Sequence, residues 1–247
     1  MKTYIRSKLD SYFDSFARKA DLDSFARKAD LDNLYAQLAA FTEIKEIVGP
    51  RVPVGPFREW AISPDALVVV LRDLISRTAP KVVEFGSGES TIAIAATLRS
   101  GGQGSLLTIE HDGSFAKKVI ERLNRHGLAD HAEVRIVPMR DYESCMGLPR
   151  FTSYDLGGLE KDFDIALVDG PIVGQFGGPT RAVPVGWCVE RLTKGRVTYL
   201  DDAYRSAEKD VIAAIKMCKP NLIAEFCDAE KGLCKFTMNQ TSEAIAR

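Results

Sequence analysis

Two apolar periods alternate along most of this chain. From residue 60 onward, stretches with apolar positions three and four apart, such as Leu67, Leu71 and Leu74, give way to short runs rich in β-branched and aromatic residues. The runs at 81–85, 106–112, 132–137, 163–171 and 196–200 read as buried strands. Between them the spacing predicts helices over 63–76, 89–99, 114–126 and 206–219, with another carrying Trp187 and Val189. Ser63 is placed as the N-cap of the first helix with Pro64 at its first position, while Gly101-Gly102 and Gly127 stop two others. Strands at 222–228 and 233–238 flank Ala229-Glu230-Lys231-Gly232 as a hairpin. Regular strand–helix alternation makes this an α/β chain with a parallel sheet, and the terminal hairpin requires one antiparallel strand in it.

Residues 1–48 follow a different rule. They contain neither glycine nor proline, which predicts a long helical arm of coiled-coil type. A segment from Asp14 to Leu22 recurs unchanged from Asp23 to Leu31, and 32–34 begins a third copy. A nine-residue step turns a helix by about 900°, which puts successive copies on opposite faces. Ile5, Leu9, Phe13 and Phe16, and later Leu31, Leu34, Leu38 and Phe41, fall on one side, whereas Leu22 and Phe25 fall off it. Either the helix breaks near residues 21–24 or it meets neighbours on both sides. Both suit an oligomerisation arm or a lid. Prolines and glycines over 49–59 mark a linker, and 60–247 is the expected ligand-binding domain.

Candidate chemistry concentrates at residues 81–91. Val82, Val83 and Phe85 form a central strand, Gly86 and Gly88 allow the backbone to approach a ligand closely, and Ser90-Thr91 open a helix whose free N–H groups face the same point. The dinucleotide fingerprint places a third glycine where this chain has Thr91, and Glu84 stands before the turn where such sites are apolar. Glu84-Phe85-Gly86-Ser87-Gly88 resembles motif I of the class I S-adenosylmethionine (SAM) methyltransferases. In that family the carboxylate helps position the cationic methionine end of SAM. The second strand ends in Glu110, an acid placed to accept from ribose hydroxyls, with His111 beside it. Met139-Arg140-Asp141 stands where the family packs the adenine, with Met139 on the ring face and Asp141 accepting from its amine. Residues 142–161, including Arg150 and Tyr154, read as a longer connection that either covers a site or is simply mobile.

The resemblance spans roughly residues 60–240 and implies a Rossmann-like, doubly wound seven-stranded sheet whose antiparallel last strand inserts beside the fifth. It implies cofactor contacts at Glu84, Gly86, Ser87, Gly88, Ser90, Thr91, Glu110, His111, Met139, Arg140, Asp141 and Asp169. Asp169 after the fourth strand and Asp201-Asp202 after the fifth match the positions at which metal-dependent O-methyltransferases of this class hold Mg²⁺. A bound Mg²⁺ would lower the pKa of an acceptor hydroxyl. Without metal, Asp169, Asp202 or His111 is the candidate general base, or alignment alone suffices. So many acids on one rim need cations, and Arg140, Arg181 and Arg205 are the nearby ones.

Composition narrows the partners. The formal net charge is −1 with the signs well mixed, which disfavours a general nucleic-acid binder. The longest apolar run, 66–71, is too short to span a membrane, and no signal-peptide pattern follows Met1. Five cysteines without a CxxC pair fit reduced thiols and a cytoplasmic protein. The expected activity is SAM-dependent O-methylation of a small molecule or glycan hydroxyl, by a homo-oligomer assembled through residues 1–48. The alternatives are an NAD-dependent oxidoreductase and a catalytically idle SAM-binding or assembly subunit.

Overall fold

The structure, a computed structural model, describes residues 28–57, 60–144, 146–160, 162–172 and 177–239. The first copy of the nonapeptide repeat, most of the second, and Cys145 lie outside the described residues. The chain divides into two compact units, Met1–Ala39 and Ala40–Arg247, and the division falls inside helix α1 (Lys28–Val48). In the first unit Leu31, Leu34, Tyr35 and Leu38 are exposed.

The second unit is an α/β layer structure. After α1 come α2 (Pro64–Ile75), β1 (Lys81–Phe85), α3 (Glu89–Gly101), β2 (Ser105–Glu110), α4 (Gly113–Arg125) and β3 (Ala132–Ile136). A hairpin of β4 (Met139–Tyr142) and β5 (Phe151–Tyr154) follows. The chain then continues through β6 (Ile165–Val168), α5 (Ala182–Glu190), β7 (Val197–Asp201), α6 (Ser206–Cys218), β8 (Leu222–Cys227) and β9 (Leu233–Met238). Seven strands form one sheet in the order β3-β2-β1-β6-β7-β9-β8, with β9 antiparallel to both neighbours. The antiparallel strand thus lies beside β7, the fifth of the parallel strands, as expected.

Strand alternation divides the core between the two sheet faces. Val82, Leu106, Ile165 and Leu167 pack with α2, α3 and the buried Ile44, Val48, Val52 and Val54. Val83, Phe85, Leu107, Ile109 and Val168 pack on the opposite side with α5, α6 and the β4–β5 hairpin. The expected linker thus contributes two buried valines to the first of these clusters.

Two local readings gain detail. Ser63 adopts an N-cap backbone but makes no capping bond; its hydroxyl donates instead to Asp65, which also accepts from the Ala66 amide. Met139-Arg140-Asp141, expected beside the adenine, lies in the strand Met139–Tyr142, which pairs in register with 151–154. In the partner strand Phe151, Ser153 and Tyr154 are buried.

Candidate functional site

Strands β1 and β6 are hydrogen-bonded neighbours whose connections leave toward opposite faces of the sheet, so a crevice opens beyond their carboxyl ends. Gly86, with φ +93°, makes the turn after β1; a Cβ there would lie 2.8 Å from the Gly170 nitrogen, so no other residue fits without moving the β6 end. Reciprocally, a Cβ at Gly170 would meet the Tyr154 hydroxyl at 2.5 Å and the Gly86 Cα at 2.7 Å. Above this contact lies a cavity of about 490 Å³.

The structure gathers most of the expected cofactor residues around it. Gly86, Ser87, Gly88, Ser90, Glu110, His111 and Asp169 all line the cavity. Glu110 is 4% exposed and fully engaged: one carboxylate oxygen accepts from the Ser87 amide (2.9 Å) and hydroxyl (2.8 Å), the other from the amides of His111 (2.7 Å) and Asp112 (3.0 Å). Burial works to raise its pKa, but these bonds and the His111 ring prevail and hold it at about 2. The His111 ring is kept on this side, with Nδ1 3.0 Å from Glu110 and an edge contact to Tyr154. Asp112 caps α4 by accepting from the amides of Ser114 and Phe115.

Four expected contacts are not in the cavity wall, and a fifth, Thr91, stands behind it. Glu84 is 0% exposed and points away from the crevice, accepting from the hydroxyls of Thr91 (2.6 Å) and of Thr108 (2.7 Å), its register partner on β2. Burial raises its pKa to about 7, against the hydrogen bonds that lower it. Thr91 completes a chain of contacts by accepting from the Gly88 amide at 2.9 Å, so Glu84 and Thr91 brace the turn from behind. Met139, Arg140 and Asp141 are drawn off by the β4–β5 pairing; Asp141 accepts from Thr152 and Arg150, and Arg140 lies over the Tyr142 ring.

On the β6–β7 side the acids assemble as expected, with oxygens of Asp169, Asp201 and Asp202 all within 4.8 Å of one another. Only Asp169 reaches the cavity. Behind it Arg181, 3% exposed, donates to the Asp201 carbonyl (2.8 Å), Asp202 (2.9 Å) and Asp169 (3.4 Å), and stands 3.7 Å from Glu208. Arg205 pairs with Asp202 at 2.8 Å, whereas Arg140 takes no part among the described contacts. Burial raises Asp169 to about 6, with Arg181 opposing and Asp202 adding to the rise. Asp201 is pushed well above its ordinary value by burial and by repulsion from Asp169 and Asp202.

Sequence reasoning missed three parts of this site. Tyr154 enters from the hairpin and lines the cavity. Arg181 is the hub of the acid cluster rather than one cation among several. Glu89 at the start of α3 pairs with Arg122 on α4 and accepts from the Gly55 amide at 2.7 Å, which ties the 50–57 segment to the turn. A short run of aromatic and β-branched residues, Phe151-Thr152-Ser153-Tyr154, signals the first; the other two depend on tertiary placement.

A family model described as a methyltransferase domain matches residues 83–203. Among solved structures, the fold is similar to that of the SAH-bound methyltransferase PaMTH1 of Podospora anserina, at 13% identity and TM-score 0.57, covering 97% of each chain. It is also similar to TomG of Streptomyces achromogenes, an O-methyltransferase involved in tomaymycin synthesis and solved with SAM, at 18% identity and TM-score 0.50, covering 94% of this chain and 96% of that one. An O-methyltransferase of Bacillus cereus in complex with SAH aligns at 17% identity and TM-score 0.50, covering 94% and 97%. At these identities the likeness is one of fold. No curated protein matches this sequence. Among the described residues, no helix is long and apolar enough to cross a membrane.

Proposed function

We propose that this chain, which carries a methyltransferase domain match and the class I fold, is a SAM-dependent methyltransferase that methylates a hydroxyl of a small molecule or glycan. The observation that carries this reading is the placement of Asp169. Its carboxylate shares a cavity with the glycine turn, one strand away, and is raised by burial to about 6. A base with a pKa near neutrality suits removal of a hydroxyl proton.

The site fits SAM at two points. Gly86 and Gly170 leave free the volume that side chains would fill, and Glu110 presents a permanently ionised carboxylate beside the turn. SAM supplies a methyl group on a positively charged sulfur, which leaves with its electron pair as the acceptor oxygen bonds the carbon. The chain's own part is alignment and proton handling. Glu110 orients the ribose hydroxyls once the Ser87 hydroxyl turns aside, and Asp169 accepts the acceptor's proton. Arg181 and Asp202 hold Asp169 in place rather than touching substrate. His111 walls the cofactor side, and most of the rate comes from in-line positioning.

A second reading adds Mg²⁺, favoured by the three close carboxylates, since neither Asp201 oxygen nor Asp202 Oδ1 receives a hydrogen bond from the described residues. Asp169, Asp201 and Asp202 would hold the ion, and the ion would acidify the acceptor hydroxyl. An NAD-dependent oxidoreductase is disfavoured by Thr91 at the third glycine position. An idle SAM-binding subunit would leave Asp169 without a task. Self-association is assigned to a second copy meeting Leu31, Leu34 and Leu38, whose spacing is that of a coiled-coil seam; Leu34→Glu together with Leu38→Glu should reduce the mass seen by light scattering.

Calorimetric titration with SAM, SAH and NAD, followed by transfer of labelled methyl to phenols, catechols and sugars with and without EDTA, tests the proposal. SAM binding with label on oxygen is expected. NAD binding without SAM binding overturns the cofactor, label on nitrogen or carbon overturns the acceptor class, and SAM binding without transfer leaves the idle subunit. Loss of transfer in EDTA, restored by Mg²⁺, selects the metal reading.

A further inference from the structure

We infer that the Tyr154 hydroxyl is a contact for the positively charged sulfur of bound SAM and makes the site favour SAM over its demethylated product. The inference rests on SAM being the ligand of this cavity.

Tyr154 ends β5, and the β4–β5 hairpin contributes no strand to the seven-stranded sheet. The sheet does not need this residue, yet its side chain is 0% exposed and lines the cavity. Its ring packs against Phe85 and His111, with centroids 6.1 and 6.0 Å apart. Those contacts would be made equally by phenylalanine. The oxygen has no hydrogen-bond partner among the described residues. Buried tyrosines ordinarily satisfy their hydroxyls, so an oxygen left without a partner beside a ligand cavity calls for one that arrives with the ligand.

Geometry identifies which part of the ligand that is. The hydroxyl lies over Gly170, where β1 and β6 part, as the 2.5 Å approach to a Cβ at that position shows. It lines the same cavity as His111 and Glu110, to which the ribose is assigned, and as Asp169, to which the acceptor is assigned. In SAM the atom that joins the ribose to the departing methyl is the sulfur. Electrostatics agrees: burial, together with Glu110, Asp169 and Glu84, keeps Tyr154 a neutral phenol despite Arg181. A neutral phenol oxygen offers lone pairs, the negative end of its dipole, to a cation. The sulfur is charged in SAM and neutral in SAH, so this contact is lost on methyl transfer and helps product leave.

Tyr154→Phe removes only the oxygen. Calorimetry on the whole chain should show SAM bound about tenfold more weakly, with SAH affinity changed less than about twofold. The melting temperature without ligand should stay level or rise, because phenylalanine carries no unsatisfied hydroxyl. Equal weakening of SAM and SAH, or no change in either, overturns the inference, as does a fall in melting temperature accompanied by loss of both ligands. A wild-type chain that binds neither SAM nor SAH overturns the cofactor reading itself, before the variant is considered.

Discussion

The two walls of the crevice solve the problem of burying carboxylates in opposite ways. On the β1–β2 side Glu110 collects four hydrogen bonds, three of them from backbone amides that the turns after β1 and β2 aim at it. On the β6–β7 side Asp169, Asp201, Asp202 and Glu208 surround a single buried guanidinium, and several of their oxygens receive no donor among the described residues. Glu110 is accordingly held at about 2, while Asp169 rises to about 6. Burial is comparable; what differs is whether the backbone supplies the donors. A wall satisfied by its own amides is a fixed acceptor suited to sugar hydroxyls. A wall with more negative charge than its arginine balances takes up protons or cations, which is what removal of an acceptor's proton requires.

The largest effect should come from breaking the second wall at its hub. Arg181→Leu leaves several carboxylates buried without their cation, and loss of about 3–5 kcal/mol of unfolding free energy is expected by urea titration. A loss below about 1 kcal/mol would mean that these acids are neutral as a group, and the contrast between the walls would collapse. Next is Glu110→Ala, which removes the acceptor but leaves its backbone donors able to reach water in an open cavity. SAM affinity should fall about 10- to 100-fold by calorimetry, the worth of one or two charge-assisted hydrogen bonds. If SAM affinity is unchanged, the first wall is a structural brace and not a ribose site.

How much of this was legible in the chain follows the same division. The turn Gly86-Ser87-Gly88 and the acid Glu110 were readable because strand, turn and acid are local features, and the local backbone supplies the chemistry. The antiparallel β9 was readable because a short hairpin permits no other course. Acids at the ends of β6 and β7 were readable as positions, but not their conversion into an ion cluster. Arg181 lies on the loop before α5, and only the packing of that loop against β7 makes it the hub. Met139-Arg140-Asp141 was placed by resemblance, and its strand pairing was not legible because the partner, 151–154, lies beyond an irregular segment. Glu84 was placed correctly in the chain and yet points the other way, since strand alternation puts it on the face opposite Val83 and Phe85.

Glu84 offers the smallest effect and a precise one, because it belongs to neither wall. Its folded pKa of about 7 lies above the 4.5 of an exposed glutamate. Between those values the folded chain keeps a proton that the unfolded chain releases, so this group's contribution to stability falls as pH rises through that window and levels off above it. Glu110, held at about 2, does the reverse: its contribution is present above about 4.5 and is lost as pH falls toward 2. In Glu84→Gln the amide oxygen still accepts from Thr91 or Thr108, but nothing titrates. The melting temperature of the variant relative to wild type should therefore climb between pH 5 and pH 7, as wild type loses the stabilisation that its proton supplied. Parallel melting curves across that range would mean that Glu84 ionises as readily in the folded chain as in the unfolded one. The two threonines would then have to be doing for Glu84 what the three backbone amides do for Glu110.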